Sequence, residues 1–391
     1  MKIKCDALVI GAGFSGLVVA ERLARAGLKS VIVDRRNHVG GNCADAYDEN
    51  GVLYHRYGPH YFRTNSQKIF DYLSSFTEWK HVQYKVLSFT DGQYWSFPIN
   101  LKTYRQMYGV RRTEIQFERY IKEKQVPIQH PANSEEIIIS QIGWELYKKF
   151  FYGYTLKQWK RPPAELSSSV CGRIPIRTNA DDRYFSDTIQ ALPNAGYSRM
   201  FENILESIKG ASLILNTSYT DIKQSIESKV TVFSGPIDEF FQYKFGHLPY
   251  RSLEFRRTHY TKPDLLKLKN SWNKKGFYQP ALQVNYPNDE LYTRTVEIKH
   301  VTGQRCEGTT IVKEYPIDYS EGKEPFYPVP SDESARIYEK YRNECVGRDD
   351  LFLIGRLGCY RYYNMDQVVA MALKTADDII NKVGCNRTTH G

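Results

Sequence analysis

Ala7-Leu-Val-Ile-Gly11-Ala-Gly13-Phe-Ser-Gly16, with Asp34 eighteen residues further on, is the stretch whose reading decides the fold. An apolar strand runs into a G-x-G-x-x-G turn, and an Ala/Leu-rich helix follows from Leu17 to Ala26. A second apolar strand, Ser30-Val-Ile-Val33, ends at the acid. Each glycine meets a separate steric demand. Gly11 permits the tight turn, Gly13 lets the backbone approach a pyrophosphate, and Gly16 lets helix and strand pack closely. The helix N-terminus, with Phe14 and Ser15 in its first turn, offers unpaired N–H groups and a partial positive charge to the diphosphate. Asp34 is placed to accept from ribose hydroxyls. The glycine pattern alone is weak; strand, turn, helix, strand and acid in register predict a dinucleotide-binding βαβ unit of an α/β protein. They leave open whether the dinucleotide is NAD or FAD.

The next residues favour FAD. Arg35-Arg36-Asn37-His38-Val39-Gly40-Gly41-Asn42 puts a glycine pair six residues after the acid. In flavoproteins related to glutathione reductase such a pair lets the chain fold back against the dinucleotide, which a NAD domain does not need.

Composition narrows the class. With 391 residues the chain is long enough for two or three cooperating domains. Thirty tyrosines is a high number, and tyrosine's stacking face and hydroxyl suit a ligand with aromatic and phosphate parts. No run of eighteen apolar residues exists, so no membrane span is expected. Met1-Lys2-Ile3-Lys4 runs straight into the first strand, which leaves no room for a secretory signal, and a cytoplasmic protein is expected. The seven cysteines lack C-x-x-C or His spacing, so reduced thiols and no metal site are expected. Asn386-Arg-Thr388 is formally a glycosylation sequon but has no weight in that compartment. A net charge of +10 raises nucleic-acid binding as a rival. The basic residues are dispersed among acids and no nucleic-acid motif is present, so a basic cleft for an anionic small molecule accounts for the charge.

Periodicity suggests how the chain is organised. Residues 65–76 read as an N-capped helix, and 86–99 as a hairpin around Asp91-Gly92. Helical patterns follow at 114–124, 134–142 and 143–151, then a Pro-containing loop at 157–169 that could move over a cleft. Later, Leu351-Phe-Leu-Ile-Gly355 is a strand and turn before a helix from about Asp366 to Asn381. The expected order is a first part of the FAD-binding domain at 1–64, mostly helical and substrate-binding insertions at 65–200, and a middle part at 201–245. An antiparallel-sheet substrate domain at 246–330 and a C-terminal part at 331–391 complete it.

At this level the sequence resembles the UDP-galactopyranose mutase family over nearly its whole length. The segments that carry the resemblance include Gly11–Gly16, 38–42, 57–64, Phe-Phe-Tyr-Gly-Tyr-Thr-Leu-Lys-Gln-Trp at 150–159, 173–185, Gly235-Pro236-Ile-Asp238, Tyr292-Thr-Arg294, Lys313-Glu-Tyr315 and 355–366. The resemblance implies a mutase that interconverts a nucleotide-linked hexopyranose and its furanose with no net oxidation, most simply UDP-galactopyranose and UDP-galactofuranose for surface polysaccharides. It implies FAD in the reduced form, kept so by an external reductant such as NAD(P)H. Flavin N5 would attack the anomeric carbon and release the nucleoside diphosphate, and after ring reclosure on O4 the diphosphate would return. A homodimer is compatible with the resemblance. The enzyme rival is an amine-oxidase-like flavin oxidoreductase with a similar cofactor domain.

Residue by residue, Arg173 and Arg294 match the family arginines that clamp the diphosphate, and Tyr184, Tyr315 and Tyr362 match phenols that donate to it. Tyr154, with Phe150 near it, matches the uracil platform, and Trp159 the tryptophan of the mobile loop. Arg251 matches a further family position. Arg356 matches an arginine close to flavin and substrate. His60, with Gly41 and Asn42 and with Arg35 beside the acid, is expected at the cofactor, and Met365, Asp366 and Val368 are expected at the isoalloxazine. Departures bear on the substrate, those at Arg63 and Tyr84 near the sugar and that at Lys160 on loop closure. Arg63 stands where His is usual, Tyr84 where Asn or His is common, Lys160 where Gly is usual, and Asn364 where some members have Asp. Arginine is longer, always charged and donor-only, so the sugar pocket is expected to differ. UDP-N-acetylgalactosamine and dTDP-fucose are therefore alternative substrates.

Overall fold

The computed structural model describes residues 2–320 and 322–388, with side chains to residue 383; the sequon at 386–388 lies outside the described side chains. The strand Ile3–Ile10 is central to a five-stranded parallel sheet in the order Ser212–Ile214, Ser30–Val33, Ile3–Ile10, Ile226–Phe233, Leu351–Leu353. Its residues alternate between two cores. Ala7 and Val9 join the cluster under the helices, whereas Leu8 and Ile10 join the cluster on the other face. Both faces are covered, which is why the strand reads as an almost unbroken apolar run. Ser30–Val33 lies on one side of Ile3–Ile10 and Ile226–Phe233 on the other, so the order reverses at the C-terminal end of the central strand. A crevice opens at such a switch point, and Gly11 stands there. The helices Phe14–Arg25 and Met365–Thr388 pack together beside it.

A second sheet has seven strands, with Tyr250–Tyr260 and Thr309–Asp318 paired antiparallel over ten positions. The hairpin Val86–Thr90/Gln93–Phe97 belongs to this sheet, through parallel pairing with Gln283–Asn285. The expected 65–200 insertion therefore gives two of its strands to the sheet expected at 246–330. A third sheet joins Phe62–Thr64, Ile189–Pro193 and Trp79–His81, which ties the 1–64 stretch to the insertion.

Local chemistry explains the element ends. Asp91 and Gly92 both take positive φ, as a two-residue hairpin turn demands. The helix expected at 65–76 is Gln67–Ser74, capped by Ser66 rather than Asn65. Helix Glu114–Lys124 is closed by a Thr113–Gln116 capping box. The helices expected to meet at Ile142/Gly143 do so through a break: Gly143 has φ 75° and ψ 178°, and a Cβ there would lie 2.3 Å from the Lys124 carbonyl oxygen. The segment expected as a loop at 157–169 begins as the end of helix Gly153–Trp159 and later forms a short turn at Pro163–Glu165.

Candidate functional site

The switch-point crevice holds a cavity of about 210 Å³. Gly11, Gly13, Phe14, Ser15, Asp34, Arg35, Gly41, Asn42, His60, Arg356, Met365 and Val368, all expected at the cofactor, line it. Gly16 does not, and its role is packing: a Cβ there would lie 1.8 Å from the Gly11 carbonyl oxygen. Asp366 does not line it either; its carboxylate accepts from the Gln367 N–H at 2.9 Å. Residues not singled out in the sequence also line it, among them Arg36, Cys43, Ser234, Glu324 and Phe326.

The glycine turn is held as a cradle. Gly11 has φ 106°, and a Cβ would strike Ser234 Oγ at 2.0 Å. Asp34 turns both oxygens to backbone, accepting from Ala12 N–H at 2.7 Å and Arg36 N–H at 2.8 Å. The Gly40 N–H donates to the Ala12 carbonyl at 2.8 Å, and a Cβ on Gly41 would lie 3.2 Å from Gly13 Cα. The glycine pair thus folds back onto the glycine turn. Gly13 caps helix Phe14–Arg25 without a side-chain hydrogen bond, and no acid sits in the first turn, so its leading N–H groups remain available to an anion. These features fit the diphosphate of a dinucleotide.

Glu324 crosses toward the acid end of the crevice. Its Oε2 accepts from Arg35 Nη2 at 2.6 Å and from Arg36 Nη2 at 3.0 Å. Arg36 is further fixed by Asn42 Oδ1 at 2.7 Å and by the Tyr57 ring, 4.2 Å from its guanidinium carbon. At the other end, His60 Nδ1 contacts the Gly58 carbonyl at 3.0 Å, which requires the proton on that nitrogen. Burial pulls the imidazole down to about 3, so it is neutral.

Arg356 links this crevice to a second cluster. Its guanidinium carbon lies 4.4 Å from the centroid of the Tyr362 ring, and that of Arg173 lies 4.5 Å from the same ring. Tyr327 stacks on Tyr362 at 5.9 Å and receives a 3.4 Å contact from Arg294 Nη2. Among the described residues neither Arg173 nor Arg356 has a carboxylate within ion-pair distance, so both charges face only phenols and backbone. Arg294 differs: it pairs with buried Glu314 Oε2 at 2.8 Å, while Glu314 Oε1 has no hydrogen-bond partner among the described residues. Burial alone would lower Arg294, but Glu314 and the surrounding phenols Tyr154, Tyr327 and Tyr84 hold it firmly charged. Tyr184 belongs to the same electrostatic neighbourhood, beside Arg173 and Arg294.

Tyr315, Phe150 and Arg251 lie apart from this cluster, whereas Tyr84 and Trp159 border it. Tyr315 lies on the opposite face of its strand from Glu314 and packs at 5.6 Å from Tyr292 and 4.3 Å from the Arg256 guanidinium. It is replaced in the cluster by Tyr327, whose signal was Pro325-Phe-Tyr-Pro328, an aromatic pair between prolines. Phe150 is buried against Trp95 and Phe97. Arg251 is a buried tie: Nε donates to the Gln158 carbonyl at 3.0 Å, and Nη1 pairs with Asp318. Trp159 packs at 6.1 Å from Tyr327. Tyr84 is buried and its hydroxyl donates to Gln283 Oε1 at 2.6 Å. Arg63 is not a free charge; Nη1 meets Asp187 at 2.6 Å, and its guanidinium lies 4.3 Å from the centroid of the Phe185 ring. Among the described residues no group of His, Cys, Asp and Glu could hold a metal ion.

Comparison with known proteins decides the family. The family description "UDP-galactopyranose mutase" matches residues 149–362, and "NAD(P)-binding Rossmann-like domain" matches 9–76. The chain is 36% identical over 381 residues to a probable UDP-galactopyranose mutase of Klebsiella pneumoniae, covering 96% of this chain and 95% of that one. It belongs to the UDP-galactopyranose mutase family. It is an enzyme of the isomerase class, with a Rossmann-like dinucleotide domain. Similarity extends to the dTDP-fucopyranose mutase of Escherichia coli, 32% identical over 377 residues, with 94% and 97% of the two chains covered. A crystal structure of reduced UDP-galactopyranose mutase shares the fold with TM-score 0.75 at 18% identity, covering 96% and 94%. A putrescine oxidase variant shares it at 0.60 and 14%, covering 97% and 99%, which is a likeness of fold alone. Among the described residues no helix is long and apolar enough to cross a membrane.

Proposed function

We propose that the chain interconverts UDP-galactopyranose and UDP-galactofuranose, with FAD in the switch-point crevice and the nucleotide sugar over Arg173, Arg294, Tyr327 and Tyr362. The observation that carries this reading is a pair of arginines, Arg173 and Arg356, that have no carboxylate partner among the described residues and flank one phenol at the end of a dinucleotide crevice. Arginines gathered around one phenol at the end of that crevice suit a departing diphosphate held close enough to return.

Gly13, Gly41 and the leading N–H groups of helix Phe14–Arg25 would hold the FAD diphosphate, with Arg356, His60 and Met365 toward the flavin end. Reduced flavin, when bound and supplied with electrons by a reductant such as NAD(P)H, provides the nucleophile for the anomeric carbon. The protein's own groups do the rest. Arg173 and Arg294 orient the diphosphate and neutralise it as it leaves. Tyr154, Tyr184, Tyr327 and Tyr362 donate hydroxyls around it. Trp159, packed on Tyr327, closes the nucleotide side against water.

The near-equal similarity to a dTDP-fucopyranose mutase supports that sugar as a second reading. Dithionite-reduced protein incubated separately with UDP-galactose, UDP-N-acetylgalactosamine and dTDP-fucose should give a furanose product from UDP-galactose fastest, resolved chromatographically. A faster product from another donor replaces the substrate, and substrate-driven flavin reduction in place of any furanose overturns the mutase reading. Arg294→Ala should lower turnover about 10²–10³-fold with the flavin spectrum intact.

A further inference from the structure

The side chain of Lys157 leaves helix Gly153–Trp159 and puts its ammonium among the carbonyls of one hairpin loop. Nζ donates to Glu290 O at 2.7 Å, to Tyr292 O at 3.3 Å and to Tyr286 O. An ammonium has three protons, and here three acceptors converge on them. Among the described residues Lys157 forms no ion pair; burial pulls its ammonium down to about 8, against the longer-range support of Glu290 and Asp289 in the same loop. Helix and loop touch closely for an independent reason: a Cβ on Gly153 would lie 2.3 Å from the Pro287 carbonyl oxygen.

The placement of those carbonyls matters. Tyr286 directly follows strand Gln283–Asn285, and Tyr292 precedes strand Arg294–Val296 by two residues. The ammonium therefore grips both feet of the loop that leads into Arg294. On its own helix it is flanked by Tyr154 and Trp159, which on the proposed function wall the nucleotide side. We infer that Lys157 is a positioning residue that sets the separation between the aromatic nucleotide wall and the arginine diphosphate clamp. Its ligand class is a nucleoside diphosphate, and the inference rests on the mutase reading of the same site.

The test is binding of UDP, and separately of dTDP, to the flavin-loaded protein, followed by intrinsic tryptophan fluorescence and calorimetry. Lys157→Met keeps the apolar stem and removes the donors. It should weaken the better nucleotide about 10-fold or more, raise KM in proportion and change kcat less, with the flavin spectrum kept. Lys157→Arg, which restores donors to the carbonyls, should recover most of the affinity. If Lys157→Met does not fold, Gly153→Ala, which wedges helix and loop apart, should show the same loss. Nucleotide affinity within twofold of wild type in the folded variant overturns the inference while leaving the mutase reading intact. Wild-type protein that binds neither nucleotide overturns both.

Discussion

Tyr362 shows how much one residue's surroundings decide. Tyr362 stays 41% exposed, so desolvation raises its phenol only in part, and Arg173 and Arg356, with Arg294 behind them, outweigh it and bring the phenol down to about 7. For an acid with a depressed folded value, the stabilising contribution is complete above the ordinary phenol range near pH ~10 and is lost as pH falls through about 7. A bound diphosphate beside it reverses the balance, because a second anion disfavours the phenolate. Binding of UDP should then take up a proton, and affinity should fall as pH rises above about 7. Calorimetry in buffers of different ionisation enthalpy measures the uptake, and Tyr362→Phe should remove it. A pH-independent wild-type affinity would contradict this account. The same scale shows a limit of sequence. Arg173, Arg294, Tyr184 and Tyr362 lie together in the structure, whereas Tyr315 lies apart from them. Which of two neighbouring side chains enters a pocket depends on strand register, and Glu314 and Tyr315 exchange faces with a one-residue slip.

Among the elements, those with punctuation were legible. The hairpin at Asp91-Gly92, the capped helix Glu114–Lys124 and the interruption at Gly143 each place a turn or cap residue where the backbone requires one. The eleven-residue strand Tyr250–Tyr260 was not legible, because its outer half, Glu254-Phe-Arg-Arg-Thr-His, is polar and half exposed and lies in register only through its partner Thr309–Asp318. Gly143 offers a test of the element scale. Its φ of 75° and the 2.3 Å approach of a notional Cβ to Lys124 O leave no room for alanine. Gly143→Ala should cost roughly 2–3 kcal/mol, read as a lowered Tm with cofactor content retained at low temperature. An unchanged Tm would mean that the two helices can straighten through the break.

For the whole molecule, the βαβ unit told what class of ligand is bound, but not how the domains interleave. Strands from residues 86–97 complete a sheet whose other members come after residue 249, a pairing set by long-range register that no local pattern encodes. The segment from Glu324 to Tyr327 binds these parts together: Glu324 is pinned to Arg35 and Arg36 at the cofactor crevice, and Tyr327 stands in the arginine cluster. Glu324→Gln should therefore speed flavin release several-fold, measured by dilution into apoprotein-trapping buffer; an unaltered release rate would assign that ion pair to the surface alone. The strap has one more consequence. If, as proposed above, the same short stretch borders both ligands, a nucleotide seated against Tyr327 resists the movement that would free the cofactor, and by reciprocity a seated cofactor steadies the nucleotide. Substrate is then a preservative as well as a reactant: the protein should keep its yellow colour through washing when UDP is present and bleach when it is not.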